Sequence, residues 1–213
     1  MQRRNFIKHS ALAAGALAMA PTLSSFGMAE DAILGHNNKR YKLNKDWGKL
    51  DFTHNPVKDC HEMVQDSKGR IFLLTNETHN NIIIYDRKGK LLDSWGHDYP
   101  GGHGLTLFNE NGTEVLFICD NSRSQVIKTT LDGRVLLTLN YPKETGQYSK
   151  QEEFIPTETA IAANGDIYVA DGYGKDFIIR YDYKGNYLGY FGGRGDKDVD
   201  FVPNSRKYIR VDY

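Results

Sequence analysis

Six glycines set the terms for this chain. They fall in three pairs, Gly69 with Gly89, Gly112 with Gly133, and Gly165 with Gly185, separated by 20, 21 and 20 residues. Each follows a turn-forming residue: Lys68, Lys88, Asn111, Asp132, Asn164 and Lys184. Glycine, and asparagine to a lesser degree, accepts the positive φ that a tight hairpin requires. Between and around the glycines lie short β-branched and aromatic runs: Ile71-Phe72-Leu73-Leu74, Ile82-Ile83-Ile84-Tyr85, Val115-Leu116-Phe117-Ile118, Ile167-Tyr168-Val169-Ala170 and Phe177-Ile178-Ile179-Arg180-Tyr181. Such runs read as strands.

Each pair of glycines thus punctuates a unit of four short strands. The units span Cys60 to His97, Gly102 to Asn140, and Phe154 to Gly193. Their first glycines are 43 and 53 residues apart, and the longer step takes up an insertion at Pro142 to Glu153. Four strands per period of about 40–50 residues is the pattern of β-propeller blades. An all-β sandwich would need the same hairpin spacing to recur by coincidence. The expected fold class is therefore all-β: a β-propeller of about three blades plus the start of a fourth at Phe201-Val202-Pro203. Propellers close with about 4–8 blades. The sequence leaves two explanations open, a truncated product or a pair of chains completing one ring.

The expected domains are residues 1–29, 30–57 and 58–213. The first carries Arg3-Arg4-Asn5-Phe6-Ile7-Lys8 ahead of an apolar run from Ala11 to Ala20, and resembles a twin-arginine export signal. Gln2 stands where Ser or Thr is commoner. Cleavage after Ala20 or Ala29 fits the small residues there. The run is too short for a stable membrane span. Export would place the protein in the periplasm or another extracytoplasmic space. The lead-in, residues 30–57, is polar, with one weakly alternating stretch at Tyr41 to Trp47. Of the two cysteines, Cys60 opens an inner strand and Cys119 ends a second strand. They are expected as two buried free thiols rather than a bridge.

With 27 basic and 27 acidic side chains, the chain has no formal net charge. It has no basic block of the kind that marks nucleic-acid binding. The expected partners are a small-molecule or peptide ligand, or a protein.

In a propeller the innermost strands line a central channel, and equivalent positions meet there. Alignment of the units puts His61, His103 and Thr157 in register, followed by Glu62, Gly104 and Glu158. Neutral imidazole is a ready metal ligand, so His103 and His61 are candidate metal residues. Glycines flank His103, allowing close approach of a ligand to the backbone. Arg194-Gly195-Asp196 and the sequons at Asn76 and Asn111 carry no functional reading.

These blades resemble the NHL-repeat family of six-bladed propellers. Within it, Asp59 to Asn204 is similar to the catalytic domain of peptidyl-α-hydroxyglycine α-amidating lyases. The similarity rests on Gly102-His103-Gly104-Leu105, Pro156-Thr157-Glu158-Thr159 and Ala170-Asp171-Gly172-Tyr173. The resemblance implies zinc on His103, Tyr173 as a catalytic base, and calcium held partly by the carbonyls of Met63 and Leu105. It also implies metal-assisted cleavage of a carbinolamide to an amide and an aldehyde acid. The departures are equally specific. Asn76 stands where the family has the arginine that holds the substrate carboxylate. Asn204 stands in place of a second zinc histidine, and the family does not use His61. The sequence therefore supports first a propeller that binds a ligand or partner at its channel face. The alternative is a metal-dependent lyase or hydrolase with an incomplete site. A third reading, a calcium-dependent lactonase-type propeller, would use Glu62 or Glu158.

Overall fold

A computed structural model describes residues 33–193. The export signal expected at 1–29 and the fourth unit expected from Phe201 lie outside the described residues.

The chain divides into two units at Asn44 and Lys45. In the first, β1 (Ile33–Leu34) pairs antiparallel with β2 (Tyr41–Lys42) in a hairpin of its own. Among the described residues, β2 pairs only with β1.

The second unit holds three antiparallel sheets of four strands each. Blade one contains β3 (Cys60–Gln65), β4 (Ile71–Thr75), β5 (Ile82–Tyr85) and β6 (Leu91–Trp95). Blade two contains β7 (Gly102–Glu110), β8 (Thr113–Asp120), β9 (Gln125–Thr130) and β10 (Val135–Leu139). Blade three contains β11 (Glu158–Ile161), β12 (Ile167–Ala170), β13 (Phe177–Tyr181) and β14 (Tyr187–Gly192). Strands pair strictly in chain order within each blade, so every blade is a meander. All six turn glycines have positive φ, between 78° and 90°. That conformation is strained for residues with a Cβ, which is why glycine recurs there.

Alternation along the strands gives each sheet two faces. Phe72, Leu74, Ile82 and Ile84 of blade one pack against Leu105, Leu116, Ile118 and Ile127 of blade two. The other face of blade two, with Val115, Phe117, Cys119 and Val126, packs against Ile161, Ile167, Val169 and Ile179 of blade three. Most of these side chains are completely buried, and they are the main source of cohesion between blades.

The same polar brace recurs at the end of each second strand. Thr75 Oγ1 accepts Lys58 N–H at 3.0 Å, Asp120 Oδ1 accepts Gly101 N–H at 3.1 Å, and Asp171 Oδ1 accepts Ile155 N–H at 2.8 Å. Each bond ties the entry of an inner strand to its own blade. The part of the lead-in that belongs to the second unit, from Lys45 on, is strapped to blade one as well. Trp47 packs on Tyr85 with ring centroids 5.4 Å apart, and Lys49 N–H donates to the Gly89 carbonyl at 2.8 Å.

The insertion between blades two and three forms two 3₁₀ turns, Lys143–Thr145 and Gln151–Glu153. Both cysteines are free, as expected. Cys119 is buried, but Cys60 is exposed, which corrects the expectation of two buried thiols. An inner strand is a sheet edge, and the start of β3 has no preceding blade among the described residues to cover it.

Candidate functional site

The site is built from the starts of three inner strands and one turn. Thr157 immediately precedes β11, and Gly172-Tyr173-Gly174 forms the turn between β12 and β13. Their approach depends on missing side chains. A Cβ on Gly104 would collide with the Thr157 carbonyl, and one on Gly172 with the Thr157 hydroxyl. Glycine at 104 lets blade three close on blade two, and glycine at 172 lets the turn pack on the entry of its own inner strand.

Asp171 then fixes the turn. Its Oδ2 accepts the Lys175 backbone N–H and the Tyr148 hydroxyl, each at 2.7 Å. Burial, followed by this bond, pushes the Tyr148 phenol well above its ordinary range, so it stays a proton donor. Lys175 Nζ also meets Glu153 Oε2 at 2.6 Å, and that contact holds the Glu153 carboxyl at about 2.

The result brings Tyr173 over His103. The Tyr173 hydroxyl lies 3.1 Å from His103 Nε2, and the two rings meet edge to face with centroids 5.1 Å apart. His103 Nδ1 lies 3.0 Å from the Thr157 carbonyl oxygen. A carbonyl only accepts, so Nδ1 carries the proton. In the neutral ring Nε2 is then left with its lone pair, and the Tyr173 O–H donates to it. Three residues from two blades thus fix one tautomer and polarise one phenol.

His61 lies against His103, with ring centroids 4.2 Å apart and planes 30° apart. The structure therefore brings together His61, His103 and Tyr173. It places Met63 and Leu105 two residues further along the same inner strands. The Leu105 N–H donates to Glu62 Oε2 at 2.9 Å and so faces away from β8. In an antiparallel strand the carbonyl of a residue points the same way as its N–H. The Leu105 carbonyl accordingly lies on the free edge of β7, and Met63 occupies the equivalent place on β3.

A second polar group lies beside the first. Glu62 of blade one and Glu158 of blade three share a hydrogen bond. Gly104 is the residue of blade two in register with them. Burial, then that bond, raises the Glu158 carboxyl to about 7. The Thr106 hydroxyl of blade two lies 2.9 Å from Glu158 Oε1 and 2.7 Å from Thr159 Oγ1. The register of Glu62 and Glu158 was readable from the repeats. Thr106 and the insertion residues Tyr148 and Glu153 carried no sequence signal, because they act through partners far away in the chain. The Thr157 carbonyl is main chain and has no side-chain signature.

Asn76, at the place of the family's substrate arginine, is used structurally. Its side chain accepts Asp59 N–H at 3.0 Å and donates to Asp59 Oδ2 at 2.9 Å.

A catalytic zinc takes three protein ligands and an open position. Among the described residues no group of three or more His, Cys, Asp or Glu side chains is placed to hold a metal ion. His103 and His61 alone do not make such a site.

Three four-stranded antiparallel meanders, packed face on face, define the class: these are blades of a β-propeller. No protein-family model matches the sequence. The chain is similar to peptidyl-alpha-hydroxyglycine alpha-amidating lyases, as its motifs implied. It is 34% identical over 119 residues to a probable such lyase of Caenorhabditis elegans, covering 54% of this chain and 32% of the relative. It is 27% identical over 179 residues to peptidyl-alpha-hydroxyglycine alpha-amidating lyase 1 of Drosophila melanogaster, covering 81% of this chain and 29% of the relative. The chain thus spans about a third of the length of these curated relatives. Among solved structures it resembles a streptogramin B lyase, with a TM-score of 0.48, 14% identity, and coverage of 65% of this chain and 42% of that one.

Proposed function

We propose that the channel face of these blades binds a small polar ligand or the end of a peptide, in an exported protein. The observation that carries this is the Thr157–His103–Tyr173 relay. It polarises a phenol beside the starts of the inner strands, and Tyr173 is 62% exposed. A ligand O–H or N–H arriving there can donate to the Tyr173 phenol oxygen, which is a stronger acceptor because its own proton is given to the imidazole. Such convergent polar groups give orientation in a ligand site. The twin-arginine motif supports an extracytoplasmic setting.

A second reading, an amidating-lyase-like activity, is favoured by the similarity to the two lyases and by the contact between His103 and Tyr173. In that reading Tyr173 exchanges a proton with the substrate hydroxyl while His103 holds the phenol in place.

The test is calorimetric titration of a peptide ending in α-hydroxyglycine, in the presence of a chelator. Wild type is expected to bind, and Tyr173→Phe and His103→Ala to weaken binding at least tenfold. Equal affinity of all three proteins would overturn the reading. Turnover to amide and glyoxylate after metal addition, lost in Tyr173→Phe, would promote the second reading over the first.

A further inference from the structure

We infer that the end of blade one opposite the His61 and His103 site is a cationic surface that attaches the protein to an anionic lipid bilayer. The inference does not rest on the proposed ligand site.

Three stretches far apart in the sequence assemble the surface, so no basic block is visible along the chain. β3 runs from Cys60 to Gln65, so the turns Asp66 to Arg70 and Asp86 to Lys90 both lie at the far end of the meander from His61. At about 3.3 Å per residue, β3 separates the two ends by roughly 20 Å. The two turns touch, since a Cβ on Gly69 would lie 2.5 Å from Arg87 Nε. The lead-in joins them. Trp47 Nε1 donates to the Arg87 carbonyl at 3.1 Å, and Lys49 N–H to the Gly89 carbonyl at 2.8 Å. Lys49, Lys68, Arg87, Lys88 and Lys90 are all exposed there.

Two observations point to an anion. The first is the fate of the local acids. Asp66 Oδ2 meets Arg70 Nε at 2.7 Å, and Asp86 Oδ1 accepts the N–H groups of Lys88 and Lys90. Glu114 of blade two accepts the N–H and the hydroxyl of Ser67. Lys45 and Asp46 offset each other in formal charge. The five exposed cations, set against Asp86 and Glu114, keep a formal excess of three positive charges. The second observation is that Lys49 and Lys90 face each other across a parallel bridge. Like charges directly opposite on neighbouring strands repel, and an anion between them relieves the repulsion. Hairpin geometry does not call for this excess. Blade one's two turns carry five basic side chains, whereas the equivalent turns of blade two (109–113 and 130–134) and of blade three (162–166 and 182–186) carry one per blade around the same positive-φ glycines.

The form of the surface selects the partner. A single nucleic-acid strand takes a groove lined by exposed aromatic platforms. Tight turns build no such groove, and Trp47, the aromatic residue of the three stretches, is turned onto Tyr85. An anionic bilayer presents phosphates over a broad surface, and each Lys or Arg beside it strengthens attachment roughly fivefold. Attachment through this end leaves the starts of the inner strands pointing away from the lipid.

The experiment sediments the 213-residue chain with lipid vesicles. Neutral phosphatidylcholine vesicles measure attachment through the apolar run at Ala11 to Ala20, and vesicles with about 30% phosphatidylglycerol add the anionic surface. Wild type is expected to bind the anionic vesicles at least thirtyfold more tightly, with the advantage shrinking as salt rises from about 0.05 to 0.5 M. Lys88→Gln with Lys90→Gln should cut that advantage at least tenfold. Lys143→Gln with Lys150→Gln, in the insertion, removes the same charge and should bind as wild type, as should Tyr173→Phe. Every variant keeps Arg3, Arg4 and Lys8, so differences among them belong to the folded surface. The substituted lysines are all exposed, and circular dichroism checks that the variants fold. Equal binding to the two vesicles, unchanged binding in the Lys88 and Lys90 variant, or an equal loss in the insertion variant would each overturn the inference. Tighter binding to a single-stranded oligonucleotide than to the anionic vesicles would overturn it as well, and would assign the surface to a polymer.

Discussion

Glu158 shows most directly how position changes the chemistry of one residue. An ordinary glutamate is ionised well below neutrality. Here burial, then the hydrogen bond shared with Glu62, raises Glu158 to about 7. The folded state holds this proton over a range where the unfolded chain, with an ordinary carboxyl near 4.5, has lost it. The stabilisation is fully present below about 4.5 and is lost as pH rises through about 7. Stability is therefore expected to fall across that window and then level off. Glu158 is partly exposed, so solvent screening limits the change to about 1 kcal/mol. Glu158→Gln keeps a hydrogen-bonding side chain without the charge and should flatten the profile. Urea unfolding of both proteins from pH 4.5 to 8 measures this. A wild type whose stability rises over that range would refute the assignment. The register of Glu62, Gly104 and Glu158 was legible in the repeats. The raised Glu158 carboxyl was not, because it depends on how closely three inner strands approach, and Gly104 against Thr157 sets the approach of blades two and three.

At the scale of elements, the blades were legible because a hairpin glycine answers to local geometry alone. Each of the six keeps its positive φ whatever packs around it. The strap formed by the insertion was not legible, since it works through single long-range bonds. Two such bonds reach the Tyr173 turn and differ in weight. The ion pair of Lys175 with Glu153 is partly exposed, with side chains 35% and 26% accessible. Pairs of that kind contribute little, because solvent screens them. The Tyr148 hydroxyl is buried and donates to the completely buried Asp171. Removing it leaves a buried carboxylate oxygen short of one donor, at a cost of about 1–3 kcal/mol. Tyr148→Phe is therefore expected to lower the melting temperature by several degrees, and Glu153→Gln by less. It should also loosen the turn that carries Tyr173, and so weaken peptide binding without touching the ligand. Differential scanning calorimetry of the two variants decides the order. An equal or larger loss in Glu153→Gln would show that the surface pair, not the buried hydroxyl, holds the turn.

At the scale of the whole molecule, the two faces of blade three have different fates. Ile161, Ile167, Val169 and Ile179 are buried against blade two. Strand alternation puts Ala160, Tyr168, Ala170, Ile178 and Phe191 on the opposite face, and the register aligns Tyr168 with Ala160 and Ile178 with both Ala170 and Phe191. None of these five is fully buried among the described residues. The face is not uniformly apolar, since Arg180 lies opposite Tyr168 and pairs with Asp166. It is nonetheless a contiguous patch with the aromatic and aliphatic character of the buried blade faces. Contiguous exposed patches of this kind drive association, whereas scattered apolar residues do not. The 213-residue chain is therefore expected to self-associate in dilute solution. Two negative charges on the patch, Tyr168→Glu with Phe191→Glu, should return it to a monomer. Both side chains are partly exposed and point away from the core between blades two and three, so the double variant should keep its blades. Sedimentation velocity over a hundredfold range of concentration measures the distribution for each protein. A wild type that sediments as a single monomeric species throughout would contradict the expectation. Association that survives the double substitution would move the contact to another surface, with the exposed Met63 and Leu92 of blade one as the next apolar positions to change.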